Sequence, residues 1–231
     1  MRVRFAGPTL ALVFVLAGCS SASRSVESPP TTPAADAEAQ AELEALYWER
    51  RAEARTSFTE ADVRFMAGMI GHHAQALIMS RLAPANGASP SVQTLAARII
   101  NAQRDEITSM QTWLRDREQP VPEVHIEGLR LMIHGGGAHA HHDHTTMPGM
   151  LSQAQLEELA AARGADFDRL FLAYMIQHHS GAVTMVEDLF SHDGAGQDEA
   201  AFKIASDINV DQITEIARMQ QMLDGLAADT P

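Results

Sequence analysis

One stretch of this chain occurs twice. FMAGMIGHHAQALIMSRLA, Phe65 to Ala83, returns as FLAYMIQHHSGAVTMVEDL, Phe171 to Leu189. Aligned without gaps, the copies share Phe65/Phe171, Ala67/Ala173, Met69/Met175, Ile70/Ile176, His72/His178, His73/His179, Ala76/Ala182 and Met79/Met185. At about 100° per residue, Phe65, Met69, His72, Ala76 and Met79 fall on one stripe of a helix, and His73 lies beside it next to Met66, Ile70 and Leu77. The second copy repeats this arrangement. Adjacent histidines and flanking methionines on the apolar side of a helix, twice over, restrict both the fold and the chemistry.

The repeat extends to a partner helix. Val92 to about Arg117 carries Ala96, Ile99, Ile100, Ile107, Met110 and Leu114 on one face, together with Gln103 and Glu106. Glu199 to Leu226 aligns Gln212, Glu215, Ile216, Met219, Met222 and Leu223 with Gln103, Glu106, Ile107, Met110, Trp113 and Leu114. Two helical hairpins, each with a buried stripe, predict an all-α fold: a four-helix bundle of pseudo-twofold symmetry plus extra short helices. Repeat one spans about 58–118 and repeat two about 166–226. Ser57 to Glu60 fits a capping box for the first histidine helix. Pro84, Asn86, Gly87 and Pro90 end that helix, and Pro120 and Pro122 end its partner. Ser152 and Gln155 fit a second capping box, for a short helix to Arg163 stopped at Gly164, and Asp166 is a candidate cap for the second histidine helix. No window shows convincing strand alternation.

The first residues have a different character. Arg2 and Arg4 precede an apolar run, Ala11 to Ala17, that ends in Leu16-Ala17-Gly18-Cys19. This reads as an export signal over residues 1–18, too short to span a membrane, and the LAGC pattern resembles a bacterial lipobox whose Cys19 takes the lipid. Residues 19–37, rich in Ser, Pro, Thr and Ala, read as a flexible tether, and 38–231 as the helical domain. Glu38 to Arg55, with Leu43, Leu46 and Tyr47 on one side, is expected to form an extra helix leaning on that domain. Cys19 is the chain's only cysteine. Soft-metal chemistry outside the cytoplasm must then fall to methionine and histidine.

Imidazole suits Cu(II), Zn(II) and Ni(II), whereas thioether sulfur favours Cu(I) and Ag(I). Met69, His72, His73 and Met79, with Met175, His178, His179 and Met185, are therefore candidate metal ligands. Glu106 and Glu215 join them, since a carboxylate on an apolar face needs a partner and neither stripe carries Lys or Arg. Met110 and Met219 share those faces. The segment between the copies, His134 to Met150, is a glycine-containing loop that gathers His139, His141, His142, Asp143, His144, Met147 and Met150, a tract of metal-binding composition. His125, His134 and His192 stand alone and are expected at the surface.

Other readings remain. Methionine at helical spacing also fills cores, and His72–Glu106 and His178–Glu215 would serve equally as buried hydrogen-bonded pairs. A di-metal oxidase is disfavoured, because such bundles use Glu-x-x-His pairs and this chain has none. No CxxC or HExxH implies a tight zinc site, and no phosphate loop or Gly-x-Ser-x-Gly elbow implies nucleotide use or serine hydrolysis. A formal net charge of -13 argues against a nucleic-acid partner.

The two F-x-x-M-I-x-H-H-x-x-A-x-x-M motifs, the Met147-Pro-Gly-Met150-Leu-Ser segment and the Gln-x-x-Glu-Ile helices at Gln103 and Gln212 resemble the DUF305 family over about Phe58 to Leu226. The resemblance implies a ferritin-like bundle and an exported protein, with some family members similar to periplasmic copper-binding proteins. Taken with the lipobox at Cys19 and the histidine and methionine sets, the expectation is a membrane-tethered metal-binding protein that sequesters or carries copper as Cu(I) or Cu(II), with silver or zinc as further ions. The alternatives are a ferritin-like metal oxidase and a bundle with a structural or interaction role only.

Overall fold

In a computed structural model, residues 33–54, 56–135 and 146–228 are described. The loop histidines His139, His141, His142 and His144 and the lipidation candidate Cys19 lie outside these. The chain divides into two compact units, Met1–Glu44 and Ala45–Pro231. Of the first unit, the described part is the opening of helix α1 (Pro33–Ala54). The second holds α2 (Glu60–Arg81), α3 (Pro90–Asp116), a hairpin of β1 (Glu123–Glu127) and β2 (Arg130–His134), then α4 (Gln153–Ala161), α5 (Gly164–Ser191) and α6 (Glu199–Ala228).

The four long helices of the second unit pack α2 on α3, α5 on α6, α2 on α5 and α3 on α6. Two apolar clusters make their core. One joins Ala76, Ile78 and Met79 of α2, Val92, Leu95 and Ile99 of α3, Phe167, Phe171 and Met175 of α5, and Met219 of α6. The other joins Phe65, Met66, Met69 and Ile70 of α2, Met110, Trp113 and Leu114 of α3, Ala182, Val186 and Leu189 of α5, and Ala201, Ala205 and Ile208 of α6. Each helix runs from one cluster to the other, and packed neighbours run in opposite senses. The residues between the clusters along every helix are the histidines, glutamines and glutamates of the repeat. The expected hairpin pair is therefore present, with a polar layer across its middle.

Local signals account for most helix ends. Ser152 caps α4 and exchanges bonds with Gln155 as the sequence predicts. At α2 the cap is Thr59, not Ser57, with Asp62 in place of Glu60 as its reciprocal partner. Both patterns fit the segment. Asp62 wins because it is fully buried and its second oxygen accepts the Gly196 amide at 2.7 Å, a tie that Glu60 at the surface could not make. Asp166 lies in the first turn of α5 and Arg163 takes the cap position without a side-chain bond.

One expectation fails. Glu123–Glu127 and Arg130–His134 pair as antiparallel strands. Val124 and Ile126 are half-buried between exposed Glu123, His125 and Glu127, and Gly128, at φ +59, opens the two-residue turn. The alternation is real in β1, whereas β2 is half-buried along its three middle residues, and each strand has only five residues. Helix α1 starts at Pro33, and its Leu43, Leu46, Tyr47 and Trp48 are exposed.

Candidate metal centre

The polar layer is built from α2 and α5, whose histidines are all fully buried: His72, His73, His178 and His179 each show 0% exposure. His72 and His178 face each other across the α2–α5 contact, ring centroids 3.9 Å apart. His73 and His179 turn the other way, toward the partner helices. His73 Nε2 lies 2.7 Å from Glu106 Oε2 on α3, and His179 Nε2 lies 2.7 Å from Glu215 Oε2 on α6. The second approach has hydrogen-bond alignment; the first has the distance of an ion pair without it. This corrects the expected pairing, since the glutamates meet the second histidine of each motif and not His72 or His178. One residue along a helix rotates a side chain by about 100°, enough to move it from one neighbouring helix to the next.

The inner pair bonds to backbone. His72 Nε2 lies 3.0 Å from the carbonyl oxygen of Pro148, and His178 Nε2 lies 3.0 Å from that of His72. A carbonyl only accepts, so both Nε2 atoms carry the hydrogen and both Nδ1 atoms carry the lone pair. Burial, then the neighbouring His73, push the His72 ring down to about 3, against the Pro148 bond. Burial and the surrounding histidines push His178 down as well. Both rings are neutral at physiological pH. None of the four Nδ1 atoms has a hydrogen-bond partner among the described residues.

The loop before α4 completes the layer. Gln75 holds Leu151 by both backbone groups, donating to its carbonyl at 2.9 Å and accepting from its amide at 2.8 Å. Gly181 occupies the equivalent place in α5, where a Cβ would sit 2.0 Å from the Pro148 oxygen. Gly149, at φ +75, is equally hemmed in by the carbonyls of Gln177 and His178. The repeat is thus unequal where the loop passes: a clamp on one helix, a gap on the other. The sequence shows Met147-Pro-Gly-Met150 plainly, but not that Gln75 and Gly181 hold it.

The methionines divide. Met69 and Met110 lie in one apolar cluster, and Met79, Met175 and Met219 in the other, all fully buried. Met147 and Met185 meet at the surface of α2: a Cβ on Gly68 would stand 3.5 Å from Met147 Sδ and 3.5 Å from Met185 Cε. Met150 is buried next to Leu151. His125, His134 and His192 are exposed, as expected. Among the described residues no three His, Cys, Asp or Glu side chains gather as a ready cage for one metal ion.

The profile of DUF305, a domain of unknown function, matches residues 62–223. The chain belongs to the DUF305 family. Among solved structures, the DUF305 fragment from Deinococcus radiodurans is 29% identical, with a TM-score of 0.58 over 72% of this chain and 97% of that one. CopM in its Cu(II)-bound form is 29% identical, with a TM-score of 0.53 over 71% of this chain and 96% of CopM. CopM co-crystallised with silver matches at 28% identity and a TM-score of 0.52, over 71% and 96% of the two chains. No curated protein sequence matches. The all-α architecture of this DUF305 chain is thus shared with proteins solved with copper and silver.

Proposed function

We propose that this DUF305 protein is exported, held at a membrane by a lipid on Cys19, and binds copper or silver through histidine and methionine, sequestering or carrying the ion. The observation that carries the reading is the hydrogen-bonding state of the four buried imidazoles. His72, His178 and His179 bond through Nε2 to a carbonyl or carboxylate, His73 Nε2 stands 2.7 Å from Glu106 without hydrogen-bond alignment, and all four leave Nδ1 unpartnered among the described residues. That is how metal-binding histidines are held: the far nitrogen is fixed by an acceptor, which orients the ring and raises its basicity. Leaving a buried polar atom unpaired costs about 1–3 kcal/mol, and four such sites in one layer are a poor choice for packing alone.

Soft monovalent ions favour thioether sulfur. Met147 and Met185, meeting over Gly68, supply such sulfur at the surface. The loop histidines His139, His141, His142 and His144 would add capture ligands between Gly135 and Thr146. CopM, solved with Cu(I), Cu(II) and Ag, lends the reading support at modest identity.

A structural reading is the rival, favoured by one observation: His178 bonds to the His72 carbonyl across the α2–α5 contact and His72 to the Pro148 carbonyl of the loop, which ties the layer together without an ion. Anaerobic titration of the full chain with Cu(I) against a competing chelator separates the two. A variant with His139, His141, His142 and His144 changed to Ala, and another with His72, His73, His178 and His179 changed to Gln, assign the ligands. Tight binding lost in the second variant, with its helical signal intact, places the site in the layer; loss only in the first places it in the loop. A full chain that cannot outcompete a weak chelator sinks the copper reading.

A further inference from the structure

Between α3 and α6, on the far side of Glu106 and Glu215 from the histidines, the structure has a cavity of about 160 Å³. Gln103, Glu106, Asp211, Gln212, Glu215 and Arg98 line it. Gln103 with Gln212, and Glu106 with Glu215, are equivalent positions of the repeat, so the cavity lies on the internal twofold relation. Asp211 breaks that relation, standing where the first copy has Ala102. It brings a third carboxylate to the same space. Arg98 forms no ion pair with any of the three among the described residues. Asp211 is exposed at the edge of the cleft, where partial desolvation, then the charges of Glu106, Glu215 and Asp207, push its carboxyl up. Like charges crowd this cleft.

A second observation is independent of the charges. Gln103 and Gln212 are 1% and 2% exposed, and the side-chain carbonyl oxygen of each has no partner among the described residues. Two buried acceptors beside three carboxylates call for a donor-rich, positively charged occupant. The donors are oxygen alone, which suits hard cations and not Cu(I) or Ag(I). The described residues form no tight cage here. Mg²⁺ does not need one, since it keeps several waters and is held by one or two carboxylates.

We propose that this cavity takes one hydrated divalent cation of the Mg²⁺ type. The ion offsets the charges of Glu106, Asp211 and Glu215, and its waters donate to the carbonyl oxygens of Gln103 and Gln212. It acts as a structural counter-ion between the two hairpins. The ion takes oxygen donors alone, and Glu106 and Glu215, which also meet His73 and His179, are common to this cavity and the histidine layer.

The test uses Mn²⁺ as a paramagnetic stand-in, added to the full chain while the signal of free Mn²⁺ is followed by electron paramagnetic resonance. One Mn²⁺ per chain should bind and be displaced by excess Mg²⁺. The double variant Asp211→Asn/Gln212→Leu should weaken binding at least tenfold. Glu157→Gln, on exposed α4, should leave it unchanged and so separates the site from the general attraction of an acidic protein. If the double variant loses its helical signal, Asp211→Asn alone, at an exposed position, must still weaken binding. A full chain that leaves the Mn²⁺ signal untouched, or Asp211 variants that bind as the unmodified chain does, overturn the proposal.

Discussion

His178 donates its Nε2 hydrogen to the backbone carbonyl of His72 at 3.0 Å while the two rings lie 3.9 Å apart. The bond and the close, tilted approach of the rings make the middle of the α2–α5 contact polar and directional, between two buried clusters that are apolar.

Acid should therefore loosen the protein. His72 is pushed down to about 3 in the folded chain, first by burial and then by the His73 charge, and His178 is lowered by burial and then by His72. Unfolded, each ring takes its proton near 6.5. The unfolded state thus binds protons that the folded state refuses, so stability is complete above about 6.5 and falls as pH drops toward the folded values. Each ring contributes a slope of up to about 1.4 kcal/mol per pH unit within that window. Tm should fall clearly between pH 7 and pH 5, above most carboxylate titration. An unchanged Tm would mean the rings are not held as described.

Glycines in this fold should respond unequally to alanine. At Gly181 the new Cβ would stand 2.0 Å from the Pro148 oxygen, so the loop must move, at a cost of about 1–3 kcal/mol. At Gly68 the nearest atoms are 3.5 Å away, both in flexible methionine side chains, and alanine should stabilise α2 by about 0.5–1 kcal/mol. Urea denaturation of the two variants reads the difference, and the predicted signs are opposite.

Asp198 anchors the start of α6. Its carboxylate accepts from Trp113 Nε1 at 2.8 Å, the Arg117 guanidinium at 2.6 Å and the Ala201 amide at 2.8 Å. Burial works against its charge, but the bonds from Trp113, Arg117 and Ala201 hold the carboxyl below its usual range. Asp198→Ala would leave a buried guanidinium and an indole N–H unpaired, costing about 3–5 kcal/mol. Surface Asp166→Ala, whose pair with Arg169 is half-exposed, should cost under about 1 kcal/mol. Chemical denaturation of both variants checks the contrast.

Copper should stabilise the folded chain by mass action. With free Cu(I) at a hundred times its Kd, the gain is about 2.7 kcal/mol for one site. Anaerobic melts with and without Cu(I) measure it, and a chelator should reverse it. The same addition to the variant lacking His72, His73, His178 and His179 should move Tm little if the layer is the site.

The helix pairs were legible because a 3.6-residue period, doubled, leaves few other readings for residues 65–83 and 171–189. What each histidine touches was not. His72 and His73 differ by one step on the helix, and only the placement of α3 and α5 decides which faces a glutamate. The cap at Thr59 was hidden for a related reason: two overlapping patterns fit, and a bond from Gly196, far along the chain, chooses between them. Gln75 and Gly181 were invisible as a pair, because comparing the two copies invites attention to positions that agree, and these two matter where they differ. The strands were missed: β1 alternates over only five residues and β2 does not alternate, so neither carries a strong period-two signal.

Gly149 and Gly181 each occupy the room that the other's side chain would need. Neither position can drift first: a larger residue at one is refused by the backbone at the other, so any route away from glycine must change both and redraw the loop at once. The two hairpins are for the same reason no longer interchangeable parts. A chimera that takes α5 from one relative and the preceding loop from another meets this clash unless both glycines travel together, and a second copy of α2 would bring Gln75 to the place that Gly181 leaves open.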